Sequence, residues 1–202
     1  MKLYSHPFSN NCRRVLVLIE ELGLDDVEVV QVELGKGEQQ QPEYLAINPN
    51  GKVPALVDGD LTLWESMAIM HHLAQGTSLE PKGGDLVEVI RWQSWDLAHF
   101  GPNLLKVVWE RVVKPMRGAE PDETLVEAGL KGVARFAPVL DAQLVDKDFV
   151  VGDSLSLADI TLATNAALAA PARVDLDAYP NIQRWLAGIA DRPSMQKTAL
   201  RM

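Results

Sequence analysis

Lys2-Leu3-Tyr4-Ser5-His6-Pro7-Phe8-Ser9-Asn10-Asn11-Cys12-Arg13-Arg14-Val15-Leu16-Val17-Leu18-Ile19-Glu20-Glu21-Leu22-Gly23 packs a strand, a loop and a helix into the opening of the chain. Lys2, Leu3 and Tyr4 are strand-like. Val15, Leu16, Leu18, Ile19 and Leu22 then recur at helical spacing on one face, and Gly23 follows as a helix C-cap. Between them Ser9 stands where a helix N-cap is expected. Residues 27–34 are β-branched and alternating, and residues 53–57 and 61–63 flank Asp58-Gly59-Asp60, a good hairpin turn. A helix over 65–74 follows. The order is β-α-β, hairpin, helix, an α/β unit in which ligands are expected at the carboxyl ends of the strands.

Gly76-Thr77-Ser78-Leu79-Glu80-Pro81-Lys82-Gly83-Gly84 breaks regular structure. Beyond it the pattern is helical almost throughout: 87–113, 123–144, 156–170, 181–190 and a short tail after Pro193. The expected division is an α/β domain over 1–76, a linker over 77–84 and an all-α bundle over 85–202. One helix start is unusually complete. Ser156 supplies the N-cap hydroxyl, Asp159 the carboxylate at the third helical position, and Leu155 with Ile160 a hydrophobic staple.

The 202 residues carry 19 basic and 28 acidic side chains, a net charge of -9 that disfavours nucleic acid or an anionic membrane as partner. Cys12 is the only cysteine, so an internal disulfide and a cysteine metal cage are excluded, and a reducing cytoplasm fits. No apolar signal core opens the chain and no stretch is long and apolar enough to span a bilayer. His71 and His72 diverge on their helix, while His6 and His99 lack partners at ligand spacing, so no metal site is expected.

Three constellations are able to carry chemistry. The Ser9 hydroxyl either caps the following amides or donates to a bound thiolate at a helix N-terminus, where the dipole favours the anion. In Asn48-Pro49-Asn50-Gly51-Lys52-Val53-Pro54-Ala55-Leu56, Pro54 either marks a strand beginning or leaves the Val53 amide and carbonyl free for a peptide-like ligand; a cis bond would suit that turn. In Leu63-Trp64-Glu65-Ser66, the acid and the serine either cap a helix or take the ammonium and carboxylate of an amino-acid head group.

Taken with the Gly152 to Asp159 segment, these motifs resemble the glutathione transferase family across essentially the whole chain, with the serine-type, delta/phi-like bacterial members as the nearest likeness. The resemblance implies a thioredoxin-like N-terminal domain, an all-helical C-terminal domain, a cytoplasmic homodimer and a detoxification role. It also implies glutathione as co-substrate, conjugated to small hydrophobic electrophiles. By the same resemblance Ser9 is the thiolate-stabilising serine, Val53 and Pro54 form the backbone clamp for the cysteinyl part, and Glu65 and Ser66 form the γ-glutamyl site. Lys52 stands at the glycine end; Gln39 and Gln40 occupy positions where phi-like relatives tend to have His and Lys.

The electrophile pocket is expected beside the first long helix, which carries Trp92, Trp95, His99, Phe100, Asn103 and Trp109 and is expected to kink at Gly101-Pro102. Phe8, His99, Phe100 and Asn103 are the pocket candidates, with core packing as the competing use of the aromatics. Arg13 either adds positive charge for the anionic peptide or is a salt-bridged surface residue. Two rival functions stay open. One is thiol-disulfide exchange or peroxide reduction through Cys12, and the other is a binding module that keeps the fold without the chemistry.

Overall fold

A computed structural model describes residues 1–200, which form two compact units, 1–80 with 193–200, and 81–192. The first unit is built on β1 (Lys2–Ser5), α1 (Asn10–Leu22), β2 (Glu28–Gln31), α2 (Pro42–Leu45), β3 (Ala55–Asp58), β4 (Leu61–Trp64) and α3 (Ser66–Ala74). The strands lie in the order β2-β1-β3-β4, with β2 parallel to β1 and the other neighbours antiparallel. This is the thioredoxin-like arrangement expected from the sequence.

Local signals account for most of these elements. The Ser9 side chain caps α1, and Gly23 closes it in the left-handed region, with the Leu24 amide reaching back to the Ile19 carbonyl at 3.1 Å. Gly59 and Asp60 make the two-residue hairpin loop, whose Asp58 accepts from or pairs with His72 Nε2 at 2.9 Å. Helices α1 and α3 pack together over Leu3, Val15, Leu18, Leu56, Ile69 and Met70, all essentially excluded from water. Burying each large apolar side chain contributes about 1.5–3 kcal/mol. β2 is shorter than the alternation over 27–34 predicts. The Val32 amide still pairs with Ser5 O at 2.8 Å, but the chain then turns into two single-turn 3-10 segments, Leu34–Lys36 and Glu38–Gln40.

The second unit is helical: α4 (Gly83–Trp95), α5 (Gly101–Val108), α6 (Lys114–Met116), α7 (Glu123–Gln143), α8 (Leu157–Ala166) and α9 (Pro180–Ala190). The glycines expected in a linker begin α4, with Lys82 at its N-cap and Asp85 in its first turn. At Gly101-Pro102, where a kink is expected, a π-helical turn, Asp96–Phe100, joins α4 to α5; the Gly101 amide bonds to the Asp96 carbonyl five residues back. Pro115 is preceded by a second π-turn, Trp109–Val113. Proline clashes with the carbonyl four residues before it, and a widened turn relieves that clash without stopping the helix.

Helix α8 ends at Ala166, short of the predicted 170, but its start is as read. Ser156 and Asp159 form both halves of the capping box, and fully buried Asp159 also accepts from Val150 N at 2.8 Å and Trp185 Nε1 at 2.9 Å. Helices α5 and α7 cross at Gly129 and Gly132, where a Cβ at 132 would lie 2.0 Å from Asn103 Oδ1.

The tail departs from the expected division. α10 (Pro193–Lys197) packs on α1 within the first unit, because Arg13, Glu20 and Glu21 on one face of α1 all find partners there. Among the described residues no helix is long and apolar enough to cross a membrane.

Candidate active site

One rung of the sheet places the first unit's selected residues at a common edge. Tyr4, Ala55 and Trp64 pair across β1, β3 and β4, so the loop after β1, the segment before β3 and the start of α3 all leave the sheet at the same end. β2 runs parallel to β1 with Gln31 opposite Ser5, which brings the 34–40 segment to that end as well. Ser9, Val53-Pro54, Glu65-Ser66 and the Gln39-Gln40 turn therefore share one edge by topology alone.

The Ser9 backbone is extended, and its Oγ accepts from Cys12 N at 3.3 Å. A hydroxyl has one donor and two acceptor lone pairs, so accepting an amide does not itself use the Ser9 proton. The loop is held by Ser9 N to His6 O at 3.0 Å and by His6 Nδ1 with Val32 O at 2.9 Å. Phe8 projects from it, 53% exposed. Cys12 lies beneath, fully buried in a cluster with Val32, Tyr44, Val53 and Ala55, and burial pushes its thiol pKa up despite hydrogen bonding with Ser9 and Ser5. A buried thiol with a raised pKa is a poor nucleophile.

The Val53-Pro54 peptide is cis. The ladder begins at Ala55, so both residues lie outside its register. The preceding turn is organised by two side chains: Tyr44 Oη donates to Lys52 O at 2.7 Å, and Asn48 Nδ2 donates to the same carbonyl at 2.6 Å while its Oδ1 accepts from Asn50 N at 3.0 Å. Burial and its neighbours push the Tyr44 pKa up to about 12, so it remains a donor. Sequence reading missed Tyr44, since nothing in Glu43-Tyr44-Leu45 points to a carbonyl eight residues on. Lys52 itself is exposed. Gln40 Nε2 donates to Gly51 O at 3.4 Å, and Gly51, at φ 58°, has no room for a Cβ, which would meet that amide at 2.5 Å. The buried Gln39 Oε1 has no partner within the described residues.

Glu65 is exposed and adopts φ 73°, ψ 115°, a conformation that costs a residue with a Cβ about 1–3 kcal/mol. Helix α3 begins at buried Ser66, one residue later than predicted, and the Glu65 side chain at its N-cap does not bond its first amides. An acid held in strain beside uncapped amides is the arrangement that suits an ammonium next to a carboxylate.

Arg13 fits neither use expected of it. It is only 8% exposed, its Nη2 donates to Met195 O at 3.3 Å, and burial lowers its pKa. In the helical unit, Phe100 is fully buried and stacked on Trp95, so it is core, because the π-turn directs it inward. Asn103 donates to His99 O at 2.7 Å and fills the crossing opposite Gly132, which makes it a packing residue. His99 is exposed and stacks on Phe136 at 4.8 Å. A cavity of about 430 Å³ in this unit is lined by Asp85, Glu88, Asp146, Lys147, Asp148 and Asp153 among others, and by none of the candidate glutathione or electrophile residues.

The glutathione S-transferase N-terminal domain family matches residues 1–75 and the C-terminal domain family residues 100–193. Glutathione S-transferase 3 of Zea mays is 38% identical over 206 residues, covering 98% of this chain and 92% of the relative. The probable glutathione S-transferase GSTF2 of Oryza sativa is 38% identical, covering 98% and 95%. The structure of glutathione S-transferase I from maize in complex with an atrazine glutathione conjugate superposes with TM-score 0.87 at 33% identity, covering 98% of this chain and 95% of that one. These relatives are plant phi-class proteins, which corrects the bacterial, delta-like side of the likeness read from sequence.

Proposed function

The chain belongs to the glutathione S-transferase family, and from that membership we propose that it conjugates glutathione to small hydrophobic electrophiles with its thiolate held by the Ser9 hydroxyl. The observation that carries this reading is the Ser9 geometry: Oγ is pinned by the Cys12 amide at the mouth of α1, on the sheet edge shared with Val53-Pro54 and Glu65-Ser66. A free thiol of pKa about 8.5 is mostly protonated at neutral pH. Lowering it by two units takes about 2.7 kcal/mol of preference for the anion, and one charge-assisted hydrogen bond supplies about 1.5–3 kcal/mol.

The thiol proton leaves to solvent, and the sulfur lone pair attacks the electrophilic carbon. A C–S bond forms as the leaving group departs with its electron pair, or as an activated double bond takes up a proton. The Val53 amide and carbonyl hold the cysteinyl backbone, Glu65 and Ser66 the γ-glutamyl head, and Lys52 with Gln39 and Gln40 the glycine carboxylate. The glutathione conjugate in the maize relative supports conjugation as the reaction class.

The Cys12 redox reading is disfavoured by that residue's complete burial and raised pKa. A homodimer, which we also propose, would cover Val87 and Ile90 on α4 and the neighbouring Leu97, all well exposed in the single chain. The test is a panel of electrophiles assayed with glutathione, alongside retention on immobilised glutathione. Conjugation undiminished in Cys12→Ala is expected. Retention without conjugation of any member would replace the enzyme reading by a binding module, and conjugation abolished in Cys12→Ala would replace it by thiol exchange.

A further inference from the structure

We propose that Arg13 is a positioning residue for the thiolate-activating serine and that residues 193–197, at the far end of the chain, hold it in place. The inference rests on the Ser9 reading above. Arg13 N donates to Ser9 O at 2.9 Å, so the first hydrogen-bonded turn of α1 joins the two residues directly. The Arg13 side chain is buried, its Nη2 donates to the main-chain carbonyl of Met195 at 3.3 Å, and its Nε has no partner within the described residues. No carboxylate pairs with it among those residues.

A guanidinium buried without an ion pair is an expensive way to fill space. Replacing such a charge by an apolar side chain of similar volume is commonly neutral or stabilising. Packing alone does not account for arginine here, whereas directional contact with a carbonyl 182 residues away does. A planar guanidinium fixes the orientation of what it binds far better than an apolar contact.

Two further ties show what that contact orients. Ser194 Oγ bonds the Glu21 carboxylate, and Lys197 Nζ meets Glu20 at 2.7 Å. α10 is therefore fastened to α1 at residues 13, 20 and 21, near both ends of one helical face. α1 carries Ser9 at its mouth, so a rotation or slip of α1 moves the hydroxyl relative to Val53 and Glu65, which are carried by the sheet and α3. Misplacement on the scale of an ångström is enough to weaken activation severely.

The experiment titrates the thiolate absorbance of glutathione bound to the full-length chain, with the pH profile of kcat/KM, KM for glutathione and thermal midpoints measured beside it. Variants are Arg13→Met, Arg13→Lys, Ser194→Ala/Lys197→Ala and Ser9→Ala. Arg13→Met is expected to raise the bound thiol's pKa by about one unit, equivalent to about tenfold less thiolate on the acid limb. KM should change less than kcat, the thermal midpoint should not fall, and Arg13→Lys should recover part of the shift. The double variant should move the titration in the same direction.

An Arg13→Met titration that overlays the parent, with or without a lowered midpoint, overturns the proposal. If Arg13→Met does not fold, an unmoved titration in the double variant overturns it instead. A Ser9→Ala titration that also overlays the parent removes the serine reading and this inference together. A shift in Ser9→Ala alone removes only this inference.

Discussion

Replacing Ser9 with alanine removes two interactions of different kinds, and the structure separates their consequences. The first is the cap. Cys12 N loses its acceptor at 3.3 Å, which costs about 1 kcal/mol of stability and lowers the thermal midpoint by about 2–4 °C for a chain of this size. The second is the hydrogen bond to the bound thiolate, at about 1.5–3 kcal/mol, or about one to two pKa units at 1.36 kcal/mol per unit. The bound thiol's pKa is depressed in the parent, so the variant's rises and the activity limb moves to higher pH. At a pH equal to the parent's bound pKa, about half the thiol is ionised before the change and roughly 1–10% after it. The more basic thiolate is also more nucleophilic, by roughly threefold per unit for a Brønsted slope of about 0.4–0.5. The net loss of kcat/KM at that pH is then about 2- to 6-fold, and it vanishes or reverses well above both pKa values. The assay is kcat/KM for one electrophile across the pH range, paired with titration of the bound thiol. Profiles that differ by the same factor at every pH, with no displaced midpoint, would refute thiol activation and leave only damage to α1.

Burial raises the Cys12 pKa, so the thiol should stay protonated as pH rises through the ordinary thiol range; a thiol-alkylating probe near pH 8 is expected to label the denatured chain and leave the native one unmodified over the same time. Fast native labelling would revive the redox alternative. Asp159→Ala deprives Val150 N, Trp185 Nε1 and the Ser156 cap of their acceptor and is expected to cost at least about 3 kcal/mol, seen as a midpoint lower by about 6–12 °C. A loss within about 1 kcal/mol, as for an ordinary cap, would contradict that. Glu65→Gly relieves a positive φ while deleting the proposed ammonium partner. Stability should hold or rise by about 1 kcal/mol, whereas glutathione affinity, measured calorimetrically, should fall at least about tenfold. Unchanged affinity would remove Glu65 from the site.

Legibility in the sequence followed the range of the interaction. The α1 cap at Ser9, the Gly59-Asp60 hairpin and the Ser156–Asp159 box were all readable, because donor and acceptor or donor and turn lie within a few residues. The first π-turn was readable only as trouble at Pro102, and the second, before Pro115, was missed. Nothing in the local sequence says that the clash is relieved by a widened turn, which is the form the chain adopts. That choice decided the pocket candidates: one added residue in the turn swings Phe100 into the core and leaves His99 outside.

The sequence by itself determined a mixed α/β unit followed by helices, with three short motifs able to serve one peptide ligand. It did so because hydrophobic period, caps and turns are local properties of the chain. The tertiary structure decided which motifs meet, since only the Tyr4–Ala55–Trp64 rung brings their segments to one edge of the sheet. It also decided the place of Arg13, whose charge reads either as part of an anion site or as a surface feature until a segment 182 residues away folds back to meet it. Contacts of that span leave no periodic trace, because nothing in local spacing records which distant carbonyl a side chain will reach.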